Sequence, residues 1–147
     1  MNAIDPPVTA QSHALAARYG TDIKPSHLPW NDVISSLLQH RSVRGYKPDP
    51  VPAGTLETMI AAAQPAATSS NLQTWSAVEV TDPAKRAELA QIAGGQKHIV
   101  ECPLYLVWLA DLSRNERIAQ TAGKALEGAP YLETFLVAAI DAALAAQ

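Results

Sequence analysis

From Tyr131 to Gln147, Leu132, Phe135, Leu136, Ala139, Ile140, Ala143 and Leu144 recur at helical spacing, with alanines at several of the positions between them. A helix apolar over most of its circumference must be covered by other elements or by another chain. Its alanines let a second backbone approach closely. Asp141 is the one charge in the middle of the run. No glycine, proline or basic last turn follows before Gln147, so helix-stop signals are absent. The pattern predicts a core helix cut in mid-run, and therefore a truncated domain.

The elements that could pack against it are mostly helical. Ala10 to Tyr19 reads as a short helix stopped by Gly20. Trp30 to Gln39, with Asn31 or Asp32 as its cap, carries Val33, Ile34, Leu37 and Leu38 as one buried face. Pro52 to Ala63 is predicted helical, with Pro52 in the first turn and a stripe of Leu56, Met59, Ile60 and Ala63. Asp82 caps another helix that turns Leu89, Ile92 and Ala93 inward and stops at Gly94-Gly95. Asp111 to Gln120 is amphipathic. Two stretches read as strands. Trp75 to Thr81 alternates and is rich in β-formers. Leu104 to Ala110 is unbroken apolar and fits a strand covered on both faces. These patterns predict an α+β body over residues 30–147, preceded by an arm over residues 1–29 marked by Pro25 and Pro29.

Charge and composition remove several functions. A net charge of -3 argues against nucleic acid as a partner, since phosphate-backbone binding needs a broad basic surface. Four histidines and one cysteine show no metal-ligand spacing. A lone cysteine makes no internal disulfide, which suits a reducing cytoplasm, and Cys102 itself reads as a small buried residue. Met1 to Pro7 lacks the basic start and apolar run of a signal peptide, and Leu104 to Ala110 is too short to cross a bilayer. No nucleophile or acid–base dyad stands out.

Chemistry concentrates at three places. His40-Arg41-Ser42-Val43-Arg44 packs two guanidinium forks, a hydroxyl and an imidazole into one pentapeptide. Such forks suit phosphate and planar polar edges. Gly45 and Pro48-Asp49-Pro50 set this cluster on a bend after a helix, where positive charge also complements the helix dipole, so plain helix-end electrostatics is the competing reading. Gln64 to Gln73 is a small, polar loop ahead of the Trp75 strand, through which a flat ring could reach the backbone. Gln96-Lys97-His98 follows Gly94-Gly95 and is otherwise an ordinary exposed turn.

These motifs, with Thr68-Ser69-Ser70-Asn71-Leu72-Gln73 as the core of the loop, resemble in order and spacing the FMN-dependent nitroreductase family. The likeness is strongest to its NADPH-dependent, oxygen-insensitive nitroreductase and flavin reductase branch, and covers roughly residues 30–147. The resemblance implies a nitroreductase-like α+β fold, a central sheet flanked by helices, in a homodimer that holds FMN along its subunit interface. It implies that His40, Arg41 and Ser42 hold the FMN phosphate and ribityl chain and that Arg44 lies by the pyrimidine edge. Thr68, Ser69, Ser70 and Asn71 would approach the flavin from the partner subunit, and Gln96 would hydrogen-bond the ring edge, with Lys97 and His98 as weaker candidates. The helix from Tyr131 would join the dimer core.

The activity implied is hydride transfer from NAD(P)H through the flavin to a nitroaromatic, a quinone or free flavin. The family's later glycine-rich segment and its Lys/Arg phosphate clamp would begin after Gln147, so the chain as given is expected to bind FMN poorly. Two other readings remain. One is a non-catalytic helical interaction or dimerisation module; the other is a flavin-independent binder of some other phosphate ligand at the basic bend.

Overall fold

The computed structural model describes residues 8–20 and 29–147. The chain separates into two compact units, Met1–Arg44 and Gly45–Gln147. The expected loop at Pro25 lies outside the described residues.

In the first unit, α1 (Val8–Tyr19) packs on α2 (Asp32–Gln39). Gly20, at φ +99°, ends α1 as its sequence suggests. Asn31 is the cap of α2: its side-chain oxygen accepts from the Ile34 N–H at 3.0 Å. Trp30 is buried, and its indole N–H donates to Ser35 Oγ at 2.8 Å, stapling the entry of the helix to its first turn. The apolar stripe of α2 is not the buried face expected. Ile34 and Leu38 are half-buried, whereas Val33 and Leu37 are 66% and 64% exposed. A single neighbouring helix cannot cover so wide a stripe.

The second unit begins with α3 (Thr55–Ala63). It starts three residues later than expected, because Gly54 adopts a left-handed conformation (φ +82°) that breaks the helical path after Pro52. Thr55 ties the break together, donating to the Pro52 carbonyl from both its N–H and its hydroxyl. Leu56, Ile60 and Ala63 turn inward to different degrees, while Met59 stays 43% exposed. A short 3₁₀ turn, Ser69–Asn71, then leads into β1 (Trp75–Glu79).

After β1 come α4 (Pro83–Ile92), α5 (Lys97–Glu101), β2 (Leu106–Ala110), α6 (Ser113–Thr121) and α7 (Leu132–Ala146). The Asp82 carboxylate caps α4 by accepting from the Ala84 N–H at 2.8 Å. Leu89 is half-buried as expected, but Ile92 is 82% exposed and Ala93 has left the helix as its cap; Ala90 is the buried residue of the helix. Arg86 on this helix donates from Nε to Val80 O and from Nη1 to Cys102 O, both at 2.7 Å. One guanidinium thereby fastens α4 to the end of β1 and to the start of the segment entering β2. Cys102 is buried, as expected.

The two strands form an antiparallel pair with Trp75 opposite Ala110, Ala77 opposite Trp108 and Glu79 opposite Leu106. Trp75 and Trp108 meet at a ring-centroid distance of 5.4 Å and a 44° tilt. The pair is backed by α7, and β2 is half-exposed rather than covered on both faces, with Leu109 40% exposed. The core gathers Ala63, Trp75, Ala142 and Ala145, with Ala66, Ala77 and Trp108 packed around them.

Helix α7 turns its small residues to the strands, as its alanines allow. Ala138, Asp141, Ala142 and Ala145, spaced as one helical face, are its buried residues. Leu132, Phe135, Leu136, Ile140 and Leu144 are between 49% and 70% exposed. Small side chains face the tryptophan pair because the helix axis must lie close to the strands to contact both.

Candidate functional site

The three expected groups fall on different parts of the chain. His40, Arg41, Ser42 and Arg44 are in the first unit; Thr68, Ser69, Ser70, Asn71 and Gln96 are in the second.

His40 terminates α2, its N–H donating to the Leu37 carbonyl, and its own carbonyl accepts from Arg18 Nη1 at 3.0 Å. Arg41 folds back on the helix end: Nη1 donates to Leu38 O and to His40 O, each at 2.8 Å. That geometry satisfies carbonyls which the last helical turn leaves open. Helix-end electrostatics therefore accounts for part of Arg41. The remaining guanidinium nitrogens of Arg41, and all of those of Arg44, have no partner among the described residues, and the whole pentapeptide is exposed.

The loop in the second unit is far more constrained. Ser70, Asn71 and Gln73 all have left-handed backbones, with φ of +50°, +54° and +53°. Such conformations are uncommon for side-chain-bearing residues and need outside support. The support comes from three directions. From within, the Gln73 side-chain amide donates to Thr68 Oγ1 at 3.1 Å and to Asn71 Oδ1 at 3.2 Å, and its oxygen accepts from the Trp75 indole at 3.3 Å. From α6, Asn115 donates to Leu72 O at 3.0 Å and Arg114 donates to Gln73 O. From α7, the Asp141 carboxylate accepts from the Ser69 N–H at 3.2 Å, the Thr74 N–H at 3.4 Å and the Thr74 hydroxyl at 2.8 Å.

Asp141 and Thr74 are each 1% exposed, the most deeply buried polar side chains of the described residues. Read from the sequence, Asp141 is only an interruption in an apolar helix; Arg114 and Asn115 are unremarked surface residues. The available signal was a lone carboxylate set among alanines, a position that stays polar only if something in the core needs an acceptor.

Beside the loop lies a hollow of about 560 Å³ whose walls include Asn71, Gln73, Trp75, Ser76 and Arg114. At its edge the Ser76 hydroxyl donates to Asp111, which also accepts from the Ser113 N–H at 2.9 Å. These bonds, the Ser76 one foremost, pull the Asp111 carboxyl from an ordinary 3.8 down to about 2. Gln96 caps α5 and is exposed; its N–H donates to the Ala90 carbonyl at 3.2 Å. It is therefore carried by the α4–α5 corner, whereas the loop is carried by α6 and α7.

An antiparallel strand pair backed by one long helix, with a pinned polar loop at the strand entry, makes this an α+β protein. The family model described as the nitroreductase family matches residues 37–142, and the chain belongs to that family. Among curated relatives it is 38% identical over 118 residues to the FMN reductase (NADPH) of Bacillus subtilis, covering 80% of this chain and 47% of that protein. It is 35% identical to the oxygen-insensitive NADPH nitroreductase of Salmonella typhimurium, with 78% and 45% covered. In three dimensions it matches the NADPH:FMN oxidoreductase of Vibrio harveyi solved with NAD⁺ at a TM-score of 0.72 and 36% identity, over 80% of this chain and 49% of that one. The chain thus spans about half the length of the relatives it matches.

Proposed function

We propose that this chain supplies part of the FMN site of an NAD(P)H-dependent oxidoreductase that reduces small electron acceptors such as nitroaromatics, quinones or free flavin. The observation that carries the reading is the family match, which spans the basic pentapeptide, the Thr68–Asn71 loop and Gln96 together. The donor chemistry fits the cofactor. Exposed Arg41 and Arg44 offer planar cationic donors suited to a phosphate and to an electron-rich ring edge, and His40 and Ser42 add further donors beside them. Thr68, Ser69, Ser70 and Asn71 present small polar side chains, the last two on a left-handed backbone, that a flat ring can approach. Gln96 offers an exposed amide for the ring edge. Bound FMN would supply the two-electron chemistry, which explains why no nucleophile or acid–base dyad is needed. The protein's part is to bind, to orient and to place positive charge by the ring.

The chain is further proposed to act as a homodimer, with the uncovered Leu132, Phe135, Leu136, Ile140 and Leu144 face of α7 against a second copy. Among the described residues no helix is long and apolar enough to cross a membrane. The unpaired, buried Cys102 supports a reducing, cytoplasmic setting. The proposal includes a division into arm and body at residue 29.

An FMN titration of the full-length protein, followed by flavin absorbance, tests the reading. Saturable binding that weakens by roughly tenfold or more in Arg41→Ala/Arg44→Ala is expected, at about 1.5–3 kcal/mol for each charge-assisted hydrogen bond removed. Absence of flavin binding would overturn it. If the protein self-associates yet takes up no flavin, the exposed α7 face favours the second reading, a non-catalytic interaction module.

A further inference from the structure

We propose that Asp141 is the positioning residue of the flavin loop: its buried carboxylate holds Ser69 and Thr74, the two shoulders of the left-handed turn, so that Ser70 and Asn71 are presented in one geometry. The proposal rests on the flavin reading above and goes beyond it, because Asp141 is not among the residues expected to meet the cofactor.

Three observations support it. The carboxylate is 1% exposed and uses both oxygens on this loop, Oδ1 on the Ser69 N–H and Oδ2 on the N–H and hydroxyl of Thr74. Burying a carboxylate is costly, so its retention in an alanine face implies donors that cannot be satisfied otherwise. The residues between its two anchors include Ser70 and Asn71, whose positive φ values persist only when the surroundings enforce them. Finally, Asp141 sits on the same face of α7 as Ala138, Ala142 and Ala145, the face packed on the strands. The clamp thus ties the loop to the most deeply packed helix of the unit rather than to another loop.

The chemistry separates two substitutions. Asp141→Ala removes every acceptor and leaves the buried Thr74 donors and the partly buried Ser69 N–H without this partner. Asp141→Asn keeps an oxygen for the Ser69 N–H, and the Thr74 hydroxyl can turn to accept from the new amide. Asn should therefore recover much of what Ala loses. Amide hydrogen exchange and FMN titration on the full-length protein provide the test. In Asp141→Ala, exchange should accelerate over residues 68–74 while the β1 and β2 amides keep their protection, and FMN affinity should fall by roughly tenfold or more. Asp141→Asn should lie between Asp141→Ala and wild type in both, because the Thr74 N–H then faces the amide nitrogen and loses its acceptor. Uniformly faster exchange across the strands, or unchanged FMN affinity in Asp141→Ala while wild type binds FMN, would overturn the positioning role alone. A wild-type protein that binds no FMN would overturn the flavin reading, and this proposal with it.

Discussion

At the residue scale, polar side chains that read as incidental turn out to organise the second unit. Arg86 joins two carbonyls from separate segments, and its removal leaves both without their charged donor. Arg86→Met, which keeps the aliphatic stem, is expected to cost about 1.5–3 kcal/mol, measured as a shift in the urea unfolding midpoint. The Ser76–Asp111 pair makes a different prediction. Because the Asp111 carboxyl is held at about 2 in the folded chain against an ordinary 3.8, its stabilisation is present above pH 3.8 and disappears as pH falls towards 2. Ser76→Ala removes the largest cause of that depression. The drop in stability between pH 5 and pH 2 should then be smaller than in wild type, as read by chemical denaturation at each pH.

At the element scale, helix α7 shows that periodicity marks a helix without saying which of its faces lies on the strands. The run of large apolar residues marked a helix, and the helix is there. Contact with both strands demands the small face, and the alanines allow that close approach. Ala138, at 1% exposed, has no room for a longer side chain. Ala138→Leu is expected to destabilise the chain by about 1–3 kcal/mol in thermal or denaturant unfolding. A hydrophobicity count alone would predict the opposite. Helix α3 teaches the same lesson about boundaries. Proline at a first turn is a sound rule, yet the left-handed Gly54 lets the chain turn before the helix begins.

At the scale of the molecule, the exposed α7 face is the feature a lone chain would not retain without penalty. Its five large apolar side chains, each about half exposed or more, form a continuous strip of the kind that protein interfaces cover. Phe135→Glu combined with Ile140→Glu should abolish self-association in sedimentation velocity. It should leave the unfolding midpoint of the dissociated chain within about 0.5 kcal/mol of wild type, since neither side chain is buried in the unit. Retained association would show that another surface forms the interface.

Sequence alone determined most of the element order. Apolar spacing and punctuation set the helices, Asp82 announced its cap and Asn31 was one of two candidates for that of α2, and Gly20 and Gly94 marked stops, because all of these are interactions within a few residues. The polar motifs were likewise legible in their fixed order, and the family match spans them. Tertiary structure alone decided which face of α7 is buried, why β2 stays half open, and that Asp141 reaches back to Ser69 and Thr74 across 72 and 67 residues. Those outcomes depend on which backbones can approach closely and which buried donors lack a partner, and neither quantity exists until distant segments meet.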